Sequence, residues 1–148
     1  MTPTTNDGLM DVRPGIYLFD GDLSLVELNA VATRHDFRVF HLDGHKASSR
    51  ERFLTEAGRV MQFPDYYGMN WDAFDECVRD LSWLPAHGYV VLFDHFDQLA
   101  QSDPAAWDTV RESFHFAIEE WRDERIPFYV LLRGSASAAP GVPHLRAA

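Results

Sequence analysis

Two stretches of this chain, YVVLF at Tyr89 to Phe93 and FYVLL at Phe128 to Leu132, are apolar at every position and of strand length. A strand that alternates polar with apolar residues can leave one face in water, whereas one that is apolar throughout must be covered on both. Between the two lies a pattern of helical period. Trp107, Val110, Phe114, Ala117, Ile118 and Trp121 form the inward stripe of a helix over Ala105 to Asp123, and Pro104 suits its first turn. Strands joined through helices run parallel, because a parallel pair needs a long crossover. The fold class is therefore α/β, a single, mainly parallel sheet packed against helices.

The remaining elements fit that frame. Gly15 to Phe19 and Phe37 to Leu42 are further strand candidates, and Leu23 to Arg34 carries Leu25, Leu28, Val31 and Ala32 at helical spacing. The second of these strands ends at the Asp43-Gly44 turn. Ser48 with Glu51 three residues on predicts a capping box, opening a helix with Phe53, Leu54, Ala57, Val60 and Met61 inward. Pro64 to Asn70 interrupts the pattern, and Asn70 predicts the N-cap of a further helix running to about Ser82. The sheet so read has three strands plus an extra N-terminal one. Residues 15–133 form the domain, with 15–37 a βα addition, while 1–14 and 134–148 read as disordered tails that carry no function.

A length of 148 residues suits one domain with a sizeable core. No apolar run approaches the roughly 18 residues that span a bilayer, and Met1 to Pro14 lacks the basic and apolar regions of a secretory signal, so the expectation is a cytoplasmic protein with no membrane contact. Cys77, the single cysteine, has no disulfide partner and no second thiol for a zinc site. The net charge of −10 argues against nucleic acid as a partner, since phosphate binding needs clustered Lys and Arg. The charge is also concentrated: Pro64 to Glu124 holds 14 acids against Arg79, Arg111 and Arg122, leaving about +1 for the rest. Such a surface suits a basic partner, or serves solubility alone.

The segment FPDYYGMNWDAFDECVRDL, beginning at Phe63, gives the predicted helix two faces. Trp71, Phe74, Val78 and Leu81 recur at spacings of three and four and point to the core, while Asp72, Glu76 and Asp80 lie opposite, with Asp75 beside Glu76. Tyr66, Tyr67 and Gly68 can present aromatic rings next to the carboxylates, a combination suited to recognising a basic pocket. Plainer roles stand beside each: Asp72 complements the helix dipole, one of the tyrosines is core, and Gly68 serves a turn that needs φ > 0.

The same residues carry a resemblance. Pro64, Asp65, Tyr66, Tyr67, Gly68, Asn70, Asp72, Ala73, Glu76 and Cys77 match without a gap the Pro-acid-Tyr-Tyr-Gly loop and acidic helix of the barstar family, and the likeness extends over about Arg38 to Leu132. The resemblance implies a three-stranded parallel sheet packed on helices and a non-enzymatic protein that binds a secreted, guanyl-specific ribonuclease of the barnase type. The free chain would be a monomer and the complex a one-to-one heterodimer, with Asp72 and Glu76 standing in for phosphate oxygens in the enzyme's active site. The partner-binding set is then Tyr66, Tyr67, Gly68, Asn70, Trp71, Asp72, Asp75, Glu76 and Arg79, with no catalytic residue, metal ligand or cofactor. Three positions depart from the family pattern: Glu76 replaces Asp, Asp75 replaces an aromatic residue, and an acidic contact on the long helix falls on Phe116, with His115 or Glu119 as its substitute.

Two rival readings are set against this one. Catalysis lacks a constellation, since His35, His41, His45, His87, His95, His115 and His144 are scattered and no glycine-rich phosphate loop is present. The other keeps the fold and changes the partner, giving an immunity or regulatory protein that binds a different basic toxin or partner.

Overall fold

The computed structural model describes residues 12–21 and 24–146. Five strands, β1 (Ile16–Asp20), β2 (Phe37–Asp43), β3 (Gly88–Asp94), β4 (Phe128–Arg133) and β5 (His144–Arg146), form one sheet in the order β2-β3-β4-β1-β5. Every neighbouring pair is parallel. The apolar runs fall at the centre, β3 and β4 being buried from end to end except at their last residues, Asp94 and Arg133.

Five α-helices cover the sheet: α1 (Leu25–Arg34), α2 (Arg50–Val60), α3 (Trp71–Asp80), α4 (Phe96–Ser102) and α5 (Pro104–Asp123). α1 closes one face, where Leu28 packs with Val90, Leu92, Tyr129 and Leu131. The larger core lies on the other face, where Phe53 and Leu54 of α2, Phe74 and Val78 of α3 and Phe114 of α5 meet Val91, Phe93 and Val130. An all-parallel sheet so covered agrees with the sequence reading.

Several details differ from it. The C-terminal segment expected to be a tail supplies β5, which pairs with β1 and would otherwise leave that strand as an open edge. Leu145 and Ala139 are buried there, and a three-residue strand is too short to show a period. At the other end residues 1–11 lie outside the described residues, but Val12 packs on the α1 face and its carbonyl accepts from the Tyr129 hydroxyl at 2.9 Å. The cap of α2 is Ser49, whose side chain accepts from the Arg52 amide, so the box expected from Ser48 is displaced by one residue. α3 stops at Asp80, because Leu81 turns left-handed (φ 49°) to bury its side chain. α4 was not foreseen.

The carboxyl ends of the strands are tied to one another. Asp94 of β3 accepts from Arg133 of β4, Nη2 to Oδ2 at 2.8 Å, and its Oδ2 lies 2.7 Å from His41 Nε2 of β2. Four of the seven histidines gather at this end: besides His41, the His45 and His95 rings are 4.0 Å apart and His144 is 2.7 Å from Asp20. Burial pushes the Asp94 carboxyl up, but hydrogen bonds from Arg133 and His41 and their charges outweigh it and hold the group below the ordinary carboxylate value. With a folded pKa below the unfolded one of about 3.9, the pair stabilises the fold fully above that pH and loses its effect as pH falls through the folded value. Asp94→Asn should cost about 2 kcal/mol in urea unfolding at pH 7, since it removes the charge that accepts from both Arg133 and His41. At about pH 3 the gap from the parent should narrow; an equal gap at both pH values would refute the linkage.

Candidate functional site

The loop before α3 is built on one inward ring. Phe63 to Tyr67 makes a turn in which the Tyr67 amide donates to the Pro64 carbonyl at 2.9 Å. The Tyr67 ring packs edge-on against Phe63, centroids 4.7 Å apart, and its hydroxyl donates to the Leu54 carbonyl at 2.9 Å. Gly58 of α2 makes this approach feasible, since a β-carbon there would lie 2.8 Å from the Tyr67 ring. Burial raises the Tyr67 phenol. Tyr67 is therefore an anchor of the loop within the fold.

Its neighbour points the other way. Tyr66 is 67% exposed, and its phenol is pushed up by desolvation, then by the charges of Cys77, Asp80 and Glu76, which places the ring along the C-terminal half of α3. The turn that needs φ > 0 falls on Met69 (φ 50°) and not on Gly68, and the Met69 side chain stands 55% exposed. Asn70 caps α3 as expected, its Oδ1 accepting from the Ala73 amide at 2.8 Å.

On α3, Phe74, Cys77 and Val78 are buried, and Trp71 is half-buried, packed between Phe53 and Phe74 with the Arg50 guanidinium 5.9 Å from its ring. The acids divide into two groups. Asp75 is paired with Arg79 at 3.0 Å, and Arg79 also reaches Glu120 of α5 at 3.0 Å, so these three lie along the α3–α5 seam. Arg79, expected to face a partner, is a half-buried intramolecular clamp. The carboxylates of Asp72 and Glu76 are exposed and have no hydrogen-bond or ion-pair partner among the described residues.

Asp72, Glu76 and Asp80 follow one another at intervals of four along the outer face. Each such like-charge pair destabilises a helix by about 0.2–0.5 kcal/mol; the helix dipole offsets this at Asp72, in the first turn of α3, whereas Glu76 in mid-helix has no such return among the described residues. A local cost without a structural return marks a surface shaped for something outside the chain. Four large hydrophobic side chains are exposed among the described residues, Val26, Tyr66, Met69 and Phe116, and all but Val26 stand around these acids or the seam beside them. Phe116 opens on a shallow groove of 240 Å³ between α3 and α5, floored by Trp71 and Ser113 and flanked by Asp72, Asp75 and Glu112. His115 is 3.2 Å from Glu119 on the same helix and is not among the groove residues.

The sequence reading missed Gly58 and Met69. A phenylalanine outside the inward stripe of α5 was the available signal for Phe116, whereas nothing local marks Gly58. No group of three or more His, Cys, Asp or Glu side chains among the described residues could hold a metal ion, and no described helix is long and apolar enough to cross a membrane.

These assignments separate stability from surface function. Tyr67→Ala should lose about 3 kcal/mol in chemical denaturation, the usual cost of deleting a buried aromatic ring, whereas Tyr66→Ala should stay within about 0.5 kcal/mol. Glu76→Gln should raise stability by a few tenths, roughly 0.5 kcal/mol at low salt, by removing two like-charge neighbours. A Tyr66 variant as unstable as the Tyr67 variant would show the rings to be assigned the wrong way round.

No curated protein matches the chain. Among solved structures it is similar to the Aeropyrum pernix ORC2 protein in its ADP form (TM-score 0.60, 15% identity, 95% of this chain and 45% of that one). It is likewise similar to the Aeropyrum pernix ORC1 protein in complex with DNA (TM-score 0.57, 14% identity, 92% and 37%). The chain thus spans less than half the length of either, and at such identity the likeness is one of fold alone. Residues 37–133, which hold the loop, α3 and the groove, match the family described as Barstar (barnase inhibitor), and the chain belongs to that family.

Proposed function

We propose that this chain is a protein inhibitor that binds a basic ribonuclease one-to-one and blocks its active site with the 64–70 loop and the outer face of α3. The observation that carries the reading is the pair of partnerless carboxylates, Asp72 and Glu76, set among the exposed side chains of Tyr66, Met69 and Phe116. Family membership supplies the class of partner. A pocket evolved to hold the phosphates of RNA presents Arg, Lys and His, and two carboxylates about one helical turn apart present the complementary charge. The aromatic and thioether groups around them supply contact area and exclude water from the charge pairs.

The partner is further proposed to be of the secreted, guanyl-specific type, with this chain acting in the cytoplasm and without catalysis of its own. Glu76 reaches one methylene further than Asp, and Asp75 is already committed to Arg79. The recognised enzyme therefore presents its cations differently from one fitted to the common family pattern.

Added to a panel of guanyl-specific ribonucleases, the full chain should abolish RNA cleavage by at least one of them near a one-to-one ratio; activity persisting throughout the panel at large molar excess would refute the reading. In calorimetric titration against the inhibited enzyme, Glu76→Ala should lose at least about 2 kcal/mol of binding, because it strands desolvated cations. Asp123, an exposed acid at the far end of α5, should lose less than about 0.5 kcal/mol when replaced by Ala. Equal small losses at both positions would mean that the binding face lies elsewhere. The association rate, measured by stopped flow, should fall steeply with salt, as expected for an acidic face meeting a basic cleft.

A further inference from the structure

Three sulfur-bearing side chains lie among the described residues, and they differ in what can reach them. Met61 is fully buried in the larger core. Cys77 is buried in α3, where burial, and then the charges of Asp80 and Glu76, push its thiol up and keep it in the unreactive protonated form. Met69 is the exception, more than half exposed at the end of the loop that leads into α3.

Methionine ordinarily goes inside, and here it also occupies a left-handed backbone position that is costly for any residue with a side chain. Asn70, the next residue, is fixed as the cap of α3, so the thioether emerges just ahead of Asp72. Its Sδ lies 3.8 Å from the Thr55 hydroxyl of α2. An exposed thioether is open to two-electron oxidants. Its lone pair attacks one oxygen of hydrogen peroxide, the O–O bond breaks, an S=O bond forms and water leaves, so that sulfur is oxidised and peroxide reduced. The product is polar, and its oxygen is a far better acceptor than the sulfur it sits on. An apolar contact beside Asp72 thereby becomes a hydrated dipole, which must shed water to enter an interface and has the Thr55 hydroxyl as a competing donor within the chain.

We propose that Met69 is a redox-sensitive element of the binding face: peroxide converts it selectively to the sulfoxide, which weakens association with the ribonuclease, and reduction restores it. In the return step a dithiol, acting through methionine sulfoxide reductase, removes the oxygen as water and becomes a disulfide. The proposal rests on the inhibitor reading given above.

The experiment treats the full chain with dilute hydrogen peroxide and follows oxygen uptake at each methionine by peptide mass spectrometry. Met69 should be converted at least roughly tenfold faster than Met61, in line with their exposure. Comparable rates, or Met61 first, overturn the selectivity. The oxidised chain should remain folded in a melting curve and inhibit the ribonuclease at least about fivefold more weakly, and sulfoxide reductase with dithiothreitol should return the inhibition constant of the untreated chain. Met69→Leu, compared only with itself, should inhibit equally before and after peroxide. A loss on treatment of that variant assigns the effect to another sulfur and overturns the proposal, as does unfolding of the oxidised parent. If untreated and oxidised chains inhibit equally, the inhibitor reading stands and the switch alone is overturned; if the untreated chain inhibits no ribonuclease, both fall.

Discussion

Everything in this molecule is arranged around strands that cannot face water. β3 and β4 are apolar on both sides and all-parallel, so each needs helices above and below, and the chain must supply a crossover between successive strands. α1 alone closes one side; α2, α4 and α5 crowd the other, with α3 packed against α2 and α5. Burying an aromatic side chain of the Phe53, Phe74 and Phe114 cluster contributes on the order of 2–3 kcal/mol. That exceeds the few tenths lost by a row of like charges on the outer side of the same helix. The core therefore tolerates an unfavourable α3 surface.

The division of labour within α3 follows from that imbalance. Its inner side chains decide where the helix sits, and the Tyr67 anchor under α2 decides where the preceding loop leaves Tyr66. Asp75 and Arg79 join the helix to α5 through Glu120 in a partly exposed network, which contributes little to stability by itself but fixes which acids have partners. What remains unneutralised is the line from Asp72 to Glu76. The net charge of −10 therefore says less about recognition than the local fact that these two carboxylates are free.

The parallel sheet, the five crossover helices bar α4, and the two faces of α3 were legible because they rest on periodicity over many residues. What escaped was either short or dependent on tertiary contact. β5 is three residues long and is defined by β1 beside it, not by its own pattern. Periodicity could not say which of Tyr66 and Tyr67 turns inward, because the answer lies in Gly58, on another element, whose missing side chain admits the ring. The left-handed turn falls on Met69 and not on Gly68, so residue type misassigned the strained position. Arg79 reads as part of an exposed helix until α5 is placed beside it.

The likeness to much longer proteins of different description shows how little the sheet decides. In open α/β sheets, ligands gather beyond the carboxyl ends of the strands, where loops diverge. Here those ends hold groups already engaged with one another: Asp94 with Arg133 and His41, Asp20 with His144, and Asp43 with the His45 amide. The segment after β1 reads DGDLS, without the glycine spacing and lysine of a phosphate-binding loop. Unpaired carboxylates and exposed apolar side chains lie instead on α3 and the loop before it, on the outer side of the helical layer. A row of exposed carboxylates flanked by aromatic and thioether side chains is complementary in charge and contact area to a basic cleft.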